Sequence, residues 1–385
     1  MAQRKRIGLV FSYNEAWIAG TYYILNIIHA LKLLPKEQLP VLVIISDKKE
    51  HFYVVEKETK YPFLEFFQYP FAPPHYTFWE RALNKITWLT QKKLVIKKKP
   101  AQPKIGFLYP NEIEAIKGEG LKKVNWIPDF QEQYLPEYFS EEEIALRKSF
   151  QQDIVCQGDV AVFSSNDSLR DFEKLYPQAT VATYVLPFAV THPQWEEMDP
   201  KTIRESYGLP EKYYFVPNQF WVHKNHQIVL EALRVLTNQG KEVHVAFSGK
   251  ETDYRNKDHF QKLKDFVNQN HLEKQVSFLG FLDRKVQLCL MDKAIAIVQP
   301  SLFEGWSTVV EDAKALGKFL VLSHLPVHQE QIMENVQFFD PKNAAQLAEY
   351  LAFFYENPPV VQPFDYQKNK VVFAQQFLEL VTSYS

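Results

Sequence analysis

Short, uninterrupted apolar runs alternate along this chain with longer stretches in which apolar residues return every three or four positions. The runs at 7–11, 41–45, 105–108, 124–127, 160–164 and 181–186 read as strands buried on both faces, because a half-exposed strand would alternate apolar and polar residues. A second series stands at 213–216, 243–247, 276–279, 294–298 and 319–322. Helical spacing is predicted from Thr21 onward and at 225–238, 257–270, 283–290, 308–316 and 366–384. Residues 47–58 are polar and read as helix or loop. Ser140-Glu-Glu-Glu143 forms a capping box for a helix to about 152, and Ser165, Asn166 or Asp167 caps the next one. Strict alternation of strand and helix predicts an α/β fold with parallel sheets covered on both faces. A Pro-rich connection, 187–210, holds only a short helix near 202–207 and divides the series in two. With 385 residues, two domains are expected, 1–189 and 190–363, followed by a terminal helical segment 364–385.

The stretch 294–317, AIAIVQPSLFEGWSTVVEDAKALG, has the form strand, loop, helix. Pro300 ends the strand, since proline cannot donate to a ladder. Ser307 or Thr308 is a good N-cap, Thr308-Val-Val-Glu311 fits a capping box, and Gly317 stands where a C-cap glycine belongs. Glu304 and a helix N-terminus therefore share the carboxyl end of a parallel strand, where open α/β sheets bind ligands and where a phosphate is a natural guest. The loop 215–226, FVPNQFWVHKNH, follows the first strand of the second series. A lysine at a helix start, Lys224, opposes the dipole, so an anion is expected beside it. Further loop ends carry Ser248-Gly249-Lys250, Phe278-Leu-Gly-Phe281, Asp129 after Pro128, and Gly20 just before the first helix.

Composition narrows the class. The formal net charge of −2 provides no global basic field for nucleic acid. Two cysteines, Cys156 and Cys289, argue for a reducing compartment rather than a disulfide framework. The basic N-terminus precedes an apolar run too short for a signal peptide, and no stretch approaches the roughly 20 apolar residues of a membrane span. A cytoplasmic protein is expected. Residues 76–99 stand apart: Trp79, Leu83, Ile86 and Leu89 lie at helical spacing beside Lys85, Lys92, Lys93, Lys97, Lys98 and Lys99. Two readings stay open, an amphipathic element that rests on anionic lipid and a core-packed helix with a solvated lysine face. No Gly-x-Ser-x-Gly elbow, no Walker loop, no Gly-x-Gly-x-x-Gly after the first strand and no Asp-x-Asp occurs. His223 and His226 lack a Cys or carboxylate at ligand spacing, so no metal site is expected.

The segments 301–317 and 215–226 resemble the retaining family 4 glycosyltransferases. The stretch WIPDFQEQYLPEYFS, 126–140, resembles the subset that builds bacterial surface polysaccharides. The resemblance implies a GT-B fold: two Rossmann-like domains facing a cleft, with a terminal helix crossing back to the first. It implies a hexosyltransferase that moves a sugar from a nucleotide-diphosphate sugar to a hydroxyl on a glycan or lipid-linked acceptor, without metal or other cofactor, at the inner face of the cytoplasmic membrane. Glu304 would contact the donor sugar and Lys224 the diphosphate. The family's second glutamate, which holds the ribose, falls on Asp312, with Glu311 one position early. Asp312 is favoured because the capping box accounts for Glu311. The family's diphosphate arginine falls on the neutral Gln219, so Arg255 or His223 would have to compensate. Ser248 and Gly249 would let the nucleotide approach, and Phe281 would mark the base. Gly305, Ser307 and Thr308 would line the donor site, Gly20 would approach donor phosphate or acceptor, and Asp129 would face the acceptor. A nucleotide-sugar epimerase or phosphorylase on the same fold, or a non-catalytic sugar-nucleotide-binding protein, remains open, since fold does not fix function.

Overall fold

The computed structural model describes residues 4–13, 18–71, 76–92, 94, 98 and 100–384. In its first half the strands are β1 (Arg6–Val10), β2 (Val41–Ser46), β3 (Leu64–Gln68), β4 (Phe107–Tyr109), β5 (Lys122–Ile127), β6 (Val160–Phe163) and β7 (Ala182–Val185). The second half holds β8 (Tyr214–Pro217), β9 (Val245–Ser248), β10 (Val276–Phe278), β11 (Ile297–Gln299), β12 (Leu320–Ser323) and β13 (Val336–Phe339). The sheet orders are β3-β2-β1-β4-β5-β6-β7 and β10-β9-β8-β11-β12-β13. Both orders reverse direction once, between β1 and β4 and between β8 and β11, as in doubly wound nucleotide-binding sheets. Two compact units result: one runs to Trp126 and takes up the chain again from Phe377, and the other is Ile127–Gln376.

Central strands carry the apolar runs because both of their faces are covered. Tyr214 and Val216 of β8 enter one layer with Val229, Leu233 and Leu351. Tyr213 and Phe215 enter the opposite layer with Met291, Ile297 and Val310. Successive residues of a strand point to opposite faces, so a strand buried twice has no polar position to give. The strands that the periodicity does not predict, β3 and β13, are edge strands with only partial burial, and their sequences LEFFQ and VQFF carry polar residues. The helices Pro326–Gln331 and Ala344–Glu356 are likewise additions, and 47–58 resolves into the helix Lys49–Thr59. The first helix is Ile18–Leu31, so Gly20 lies within its first turn and not before it. The terminal helix, Tyr366–Tyr384, has the predicted bounds. In the first unit its Phe377 meets Phe107 and Tyr109 of β4 at 6.4 and 5.8 Å between ring centres.

Residues 76–99 decide between their two readings in part. Thr77 and Glu80 form a complete capping box for the helix Phe78–Gln91. Its apolar side is not packed in a core: Trp79 is 78% exposed, Ile86 58% and Leu89 60%. Lys92 stands 4.3 Å from the Trp88 ring, and Lys98 pairs with Glu80 at 2.7 Å. Lys93, Lys97 and Lys99 lie outside the described residues.

One packing constraint of the second sheet is stringent. A Cβ on Gly249 would fall 2.1 Å from the Asn218 carbonyl oxygen and 2.7 Å from the Gln219 Cα, both backbone atoms that cannot swing away. Replacing Gly249 by Ala should therefore lower the unfolding free energy by about 1–3 kcal/mol, the usual cost of overpacking. Gly106→Ala, where a Cβ meets nothing within 4 Å, should stay within roughly 0.5 kcal/mol of the parent. Urea unfolding of the two variants checks this, and equal stabilities would contradict the close approach of these loops.

Candidate functional site

At the point where the second sheet reverses, the loops after β8 and β11 lie side by side. The loop after β8 runs through Asn218 and Gln219 into a short 3₁₀ turn, Val222–Lys224. Asn225 then takes a left-handed conformation, φ 55°, which asparagine tolerates. Its Nδ2 donates to the carbonyls of Pro300 and Pro341 at 3.0 and 2.9 Å, which ties this loop to the one after β11. The helix His226–Asn238 follows. After β11 come Pro300, the loop with Glu304, and Ser307, which caps the helix Thr308–Ala315 through Val310 N.

This arrangement brings Lys224 Nζ to 2.7 Å from Glu304 Oε1, across 80 residues of sequence. The anion expected beside Lys224 is thus the chain's own Glu304. Gln299 Nε2 and Ser301 Oγ donate to the same Oε1, each at 2.7 Å. The Glu304 side chain is only 8% exposed. Burial by itself would raise its pKa, but the Lys224 charge, His328 and the hydrogen bonds outweigh burial and hold it below the usual carboxylate range. It is therefore an ionised, charge-assisted acceptor. His328 is fully buried nearby. One of its ring nitrogens, Nδ1, bonds Ser323 O at 2.8 Å, while Nε2 has no hydrogen-bond partner among the described residues.

The carboxylates further along the motif are placed differently from the expectation. Ser307, not Thr308, is the N-cap, and the Thr308–Glu311 capping box does not form. Glu311 is the fourth residue of the helix and is buried. Lys314 Nζ, Gln331 Nε2 and the Tyr366 hydroxyl donate to it at 2.8, 3.1 and 2.6 Å. Gln331 also clamps the cap, accepting from Ser307 N at 3.0 Å and donating to Ser307 O at 3.1 Å. Asp312 is equally buried. Arg284 binds it through both terminal nitrogens, one at 2.7 Å, and His192 Nε2 lies 3.0 Å away. Burial would raise the Asp312 pKa, yet Arg284 and His192 bring it below the ordinary value. Capping therefore cannot distinguish Glu311 from Asp312, because each carboxylate accepts from three donors of the chain.

Other residues singled out from the sequence group around this pair. A Cβ on Gly305 would lie 2.2 Å from Pro128 O and 2.8 Å from the Asp129 Cβ, so only glycine lets the motif loop rest on Pro128-Asp129. Asp129 accepts from Gln131 N at 3.1 Å and faces Arg147 at 3.5 Å. Burial raises its pKa. Arg147 opposes that rise, while Glu132 and Glu304 add to it. Arg255 sits among the rings of Phe139, Trp221 and Tyr254, with its cation 5.0 to 5.6 Å from their centres. It reaches Asp253 and His223 at 3.4 Å and Gln131 at 3.3 Å. His223 is not a compensating cation: burial first, then Lys224 and Arg255, hold its pKa far below the usual histidine value. It is neutral near pH 7.

The remaining candidates are more dispersed. Ser248 is buried at the end of β9, and the space beside Gly249 is taken by the Asn218 backbone. Gly249 N also donates to Gly280 O at 2.9 Å. Gln219 is half-buried. Phe281 is 56% exposed, with Lys250 Nζ 5.6 Å from its ring centre. Gly20 belongs to the other compact unit, where it lines a small cavity of about 40 Å³ with Thr21, Pro110, Glu112 and Trp126. Sequence reasoning passed over Gln299, Ser301, Arg284, His192, Gln331 and His328. Gln299 had left a trace, as the one polar residue closing an apolar strand run.

Comparison with known proteins bears on the fold and on the second half of the chain. Residues 199–371 match the family model for glycosyl transferases group 1. No curated protein matches the chain by sequence. Among solved structures, HepE from Anabaena in complex with UDP is similar over 98% of this chain and 100% of its own, with a TM-score of 0.63 and 17% identity. Sucrose-phosphate synthase from Thermosynechococcus elongatus covers 99% of this chain and 98% of its own at 0.62 and 15%. A glycosyltransferase from Rickettsia africae covers 100% and 99% at 0.64 and 12%. At such identities the likeness concerns the fold, which is GT-B with two Rossmann-like sheets. The segment that matches the glycosyl transferases group 1 model, 199–371, holds the Lys224–Glu304 pair together with Asn218, Gln299 and Ser301.

Proposed function

We propose that the chain is a retaining glycosyltransferase that moves a hexose from a nucleotide-diphosphate sugar to a hydroxyl acceptor in polysaccharide or glycan biosynthesis. The observation that carries this reading is the Lys224–Glu304 contact of 2.7 Å at the reversal point of the second sheet. Glu304 keeps Oε2 clear of its three hydrogen bonds, and that oxygen can accept from a sugar hydroxyl. Lys224 can offset the charge that grows on the leaving diphosphate. Arg255 lies 3.4 Å from Nδ1 of Lys224's neighbour His223. Orientation and charge stabilisation would supply the rate, and the reading takes no metal because the chain has no Asp-x-Asp clamp. HepE binds UDP, so UDP-sugars are the first donors to try. Asp312 keeps the ribose role, with a hydroxyl sharing the carboxylate with Arg284 and His192. Asp129, against Gly305, takes the acceptor side.

The exposed apolar side of the helix Phe78–Gln91 supports a further part of the reading. No helix among the described residues is long and apolar enough to cross a membrane. Phe78, Trp79, Ile86 and Leu89 are nevertheless bare to solvent beside Lys85 and Lys92. Such a face suits peripheral docking on anionic lipid at the cytoplasmic side, with a lipid-linked acceptor.

These assignments have measurable consequences. Glu304→Gln should reduce release of UDP from UDP-glucose by at least about tenfold, a loss near 1.4 kcal/mol, while UDP binds within about twofold of the parent. Unchanged turnover would remove Glu304 from the sugar subsite. Asp312→Asn should weaken UDP binding by about 1–3 kcal/mol if a ribose hydroxyl bonds that carboxylate. Glu311→Gln should leave UDP affinity alone and lower thermal stability. The reverse outcome would assign the ribose to Glu311. For the membrane, replacing Lys85 and Lys92 by Gln together with Lys93, Lys97 and Lys99 should abolish sedimentation with vesicles rich in phosphatidylserine. Each lysine near such a surface contributes about 1 kcal/mol. A parent protein that ignores these vesicles at low salt would show that the exposed face serves something else.

A further inference from the structure

Behind Glu304 lies a run of buried side-chain hydrogen bonds with a single direction. Asn218 follows β8, and Gln299 ends β11. These strands are neighbours, paired at Phe215 and Ile297, so their ends bring the two amides together. Asn218 Nδ2 donates to Gln299 Oε1 at 2.6 Å. With its oxygen thus engaged, the Gln299 amide must present Nε2 forward, where it donates to Ser301 Oγ at 3.1 Å and to Glu304 Oε1 at 2.7 Å. Ser301, accepting from Gln299, turns its own proton onto Glu304 Oε1. Gln299 and Ser301 are fully buried and Asn218 nearly so. Such aligned bonds polarise one another in a low-dielectric interior.

We propose that Gln299 is a positioning residue for Glu304: with Asn218 behind it and Ser301 beside it, it fixes which carboxylate oxygen is spent on the protein and which is offered to substrate. Lys224 alone could hold Glu304 in several rotamers, since an ammonium is a flexible point charge with three rotatable donors. The amide and the hydroxyl remove that freedom, because both approach the same oxygen from fixed strand-end backbone. Oε2 is then held as an acceptor facing away from the relay. The consequence for turnover rests on the glycosyl-transfer reading, whereas the relay itself does not.

The test separates the two. Carbon-13 carboxyl resonances are titrated in the full-length protein without substrate, and Glu304 is identified by the signal missing in Glu304→Gln. Gln299→Leu keeps the volume and deletes the donor, so the Glu304 titration should move up by about one unit. Ser301→Ala should also give an upward shift with Gln299 intact, and it serves if the leucine variant does not fold. Gln299→Glu is the more searching variant. In its protonated form it can donate as the amide does, and in its ionised form it repels Glu304. Its rate of UDP release from UDP-glucose, relative to the parent, should therefore recover as pH falls and collapse as pH rises, with UDP affinity unchanged. A merely structural role would give a pH-independent ratio. A Glu304 titration unmoved by both Gln299→Leu and Ser301→Ala would overturn the relay, and so would a flat ratio for Gln299→Glu. If the parent releases no UDP, the glycosyl-transfer reading fails, and the carboxyl titration still decides the relay.

Discussion

Two charges are held out of water where the second sheet reverses direction, and the surrounding structure is arranged to make that tolerable. Bringing Lys224 and Glu304 together removes both from most of their hydration, at a cost that their mutual attraction repays only with added hydrogen bonds. Gln299 and Ser301 supply those bonds. The loops that carry the two ions are tied through Asn225 to Pro300 and Pro341, and through Asn218 to Gln299. Removing either ion would strand the other, a loss of about 3–5 kcal/mol for a buried partner.

Close backbone approach is the second half of the same constraint. Gly249 admits the Asn218 backbone, and Gly305 admits Pro128 and Asp129. Where these glycines stand, the β8 loop meets the end of β9 and the β11 loop meets the end of β5. The carboxylates of the helix after β11 hold this frame from behind. Glu311 joins Lys314, Gln331 and Tyr366, while Asp312 joins Arg284 and His192. Together they connect the helix to the chain on both sides of it, from His192 in the 187–210 connection to Tyr366 at the start of the terminal helix.

Much of this was legible in the residues, for identifiable reasons. Central strands announce themselves because burial on both faces forces a continuous apolar run, as in β2, β6 and β8. Edge strands β3 and β13 do not, because a half-covered strand tolerates Glu65, Gln68 and Gln337. Lys224 could be picked out because a lysine at a helix start opposes the dipole, and Glu304 through its place in the strand–loop–helix stretch and the family resemblance which that stretch carries. What could not be read was the partnership. No local pattern states that Glu311 would turn to Tyr366, 55 residues later, or that Asp312 would meet His192, 120 residues earlier. The capping-box reading of Glu311 failed for that reason: the cap position was taken by Ser307, and tertiary donors claimed the carboxylate. His223 misled in a similar way, because its neutrality follows from burial beside two cations.

In the proposed function Lys224 and Glu304 act as a unit on a nucleotide-sugar donor. A double-mutant cycle on donor binding tests it most directly, with Lys224→Gln, Glu304→Gln and the pair titrated against UDP-glucose and UDP by calorimetry. The two substitutions should be non-additive for UDP-glucose by about 1 kcal/mol or more, as contacting residues are. Lys224→Gln, unlike Glu304→Gln, should also weaken UDP itself. Additive effects on UDP-glucose, or parent protein that binds neither ligand, would contradict it.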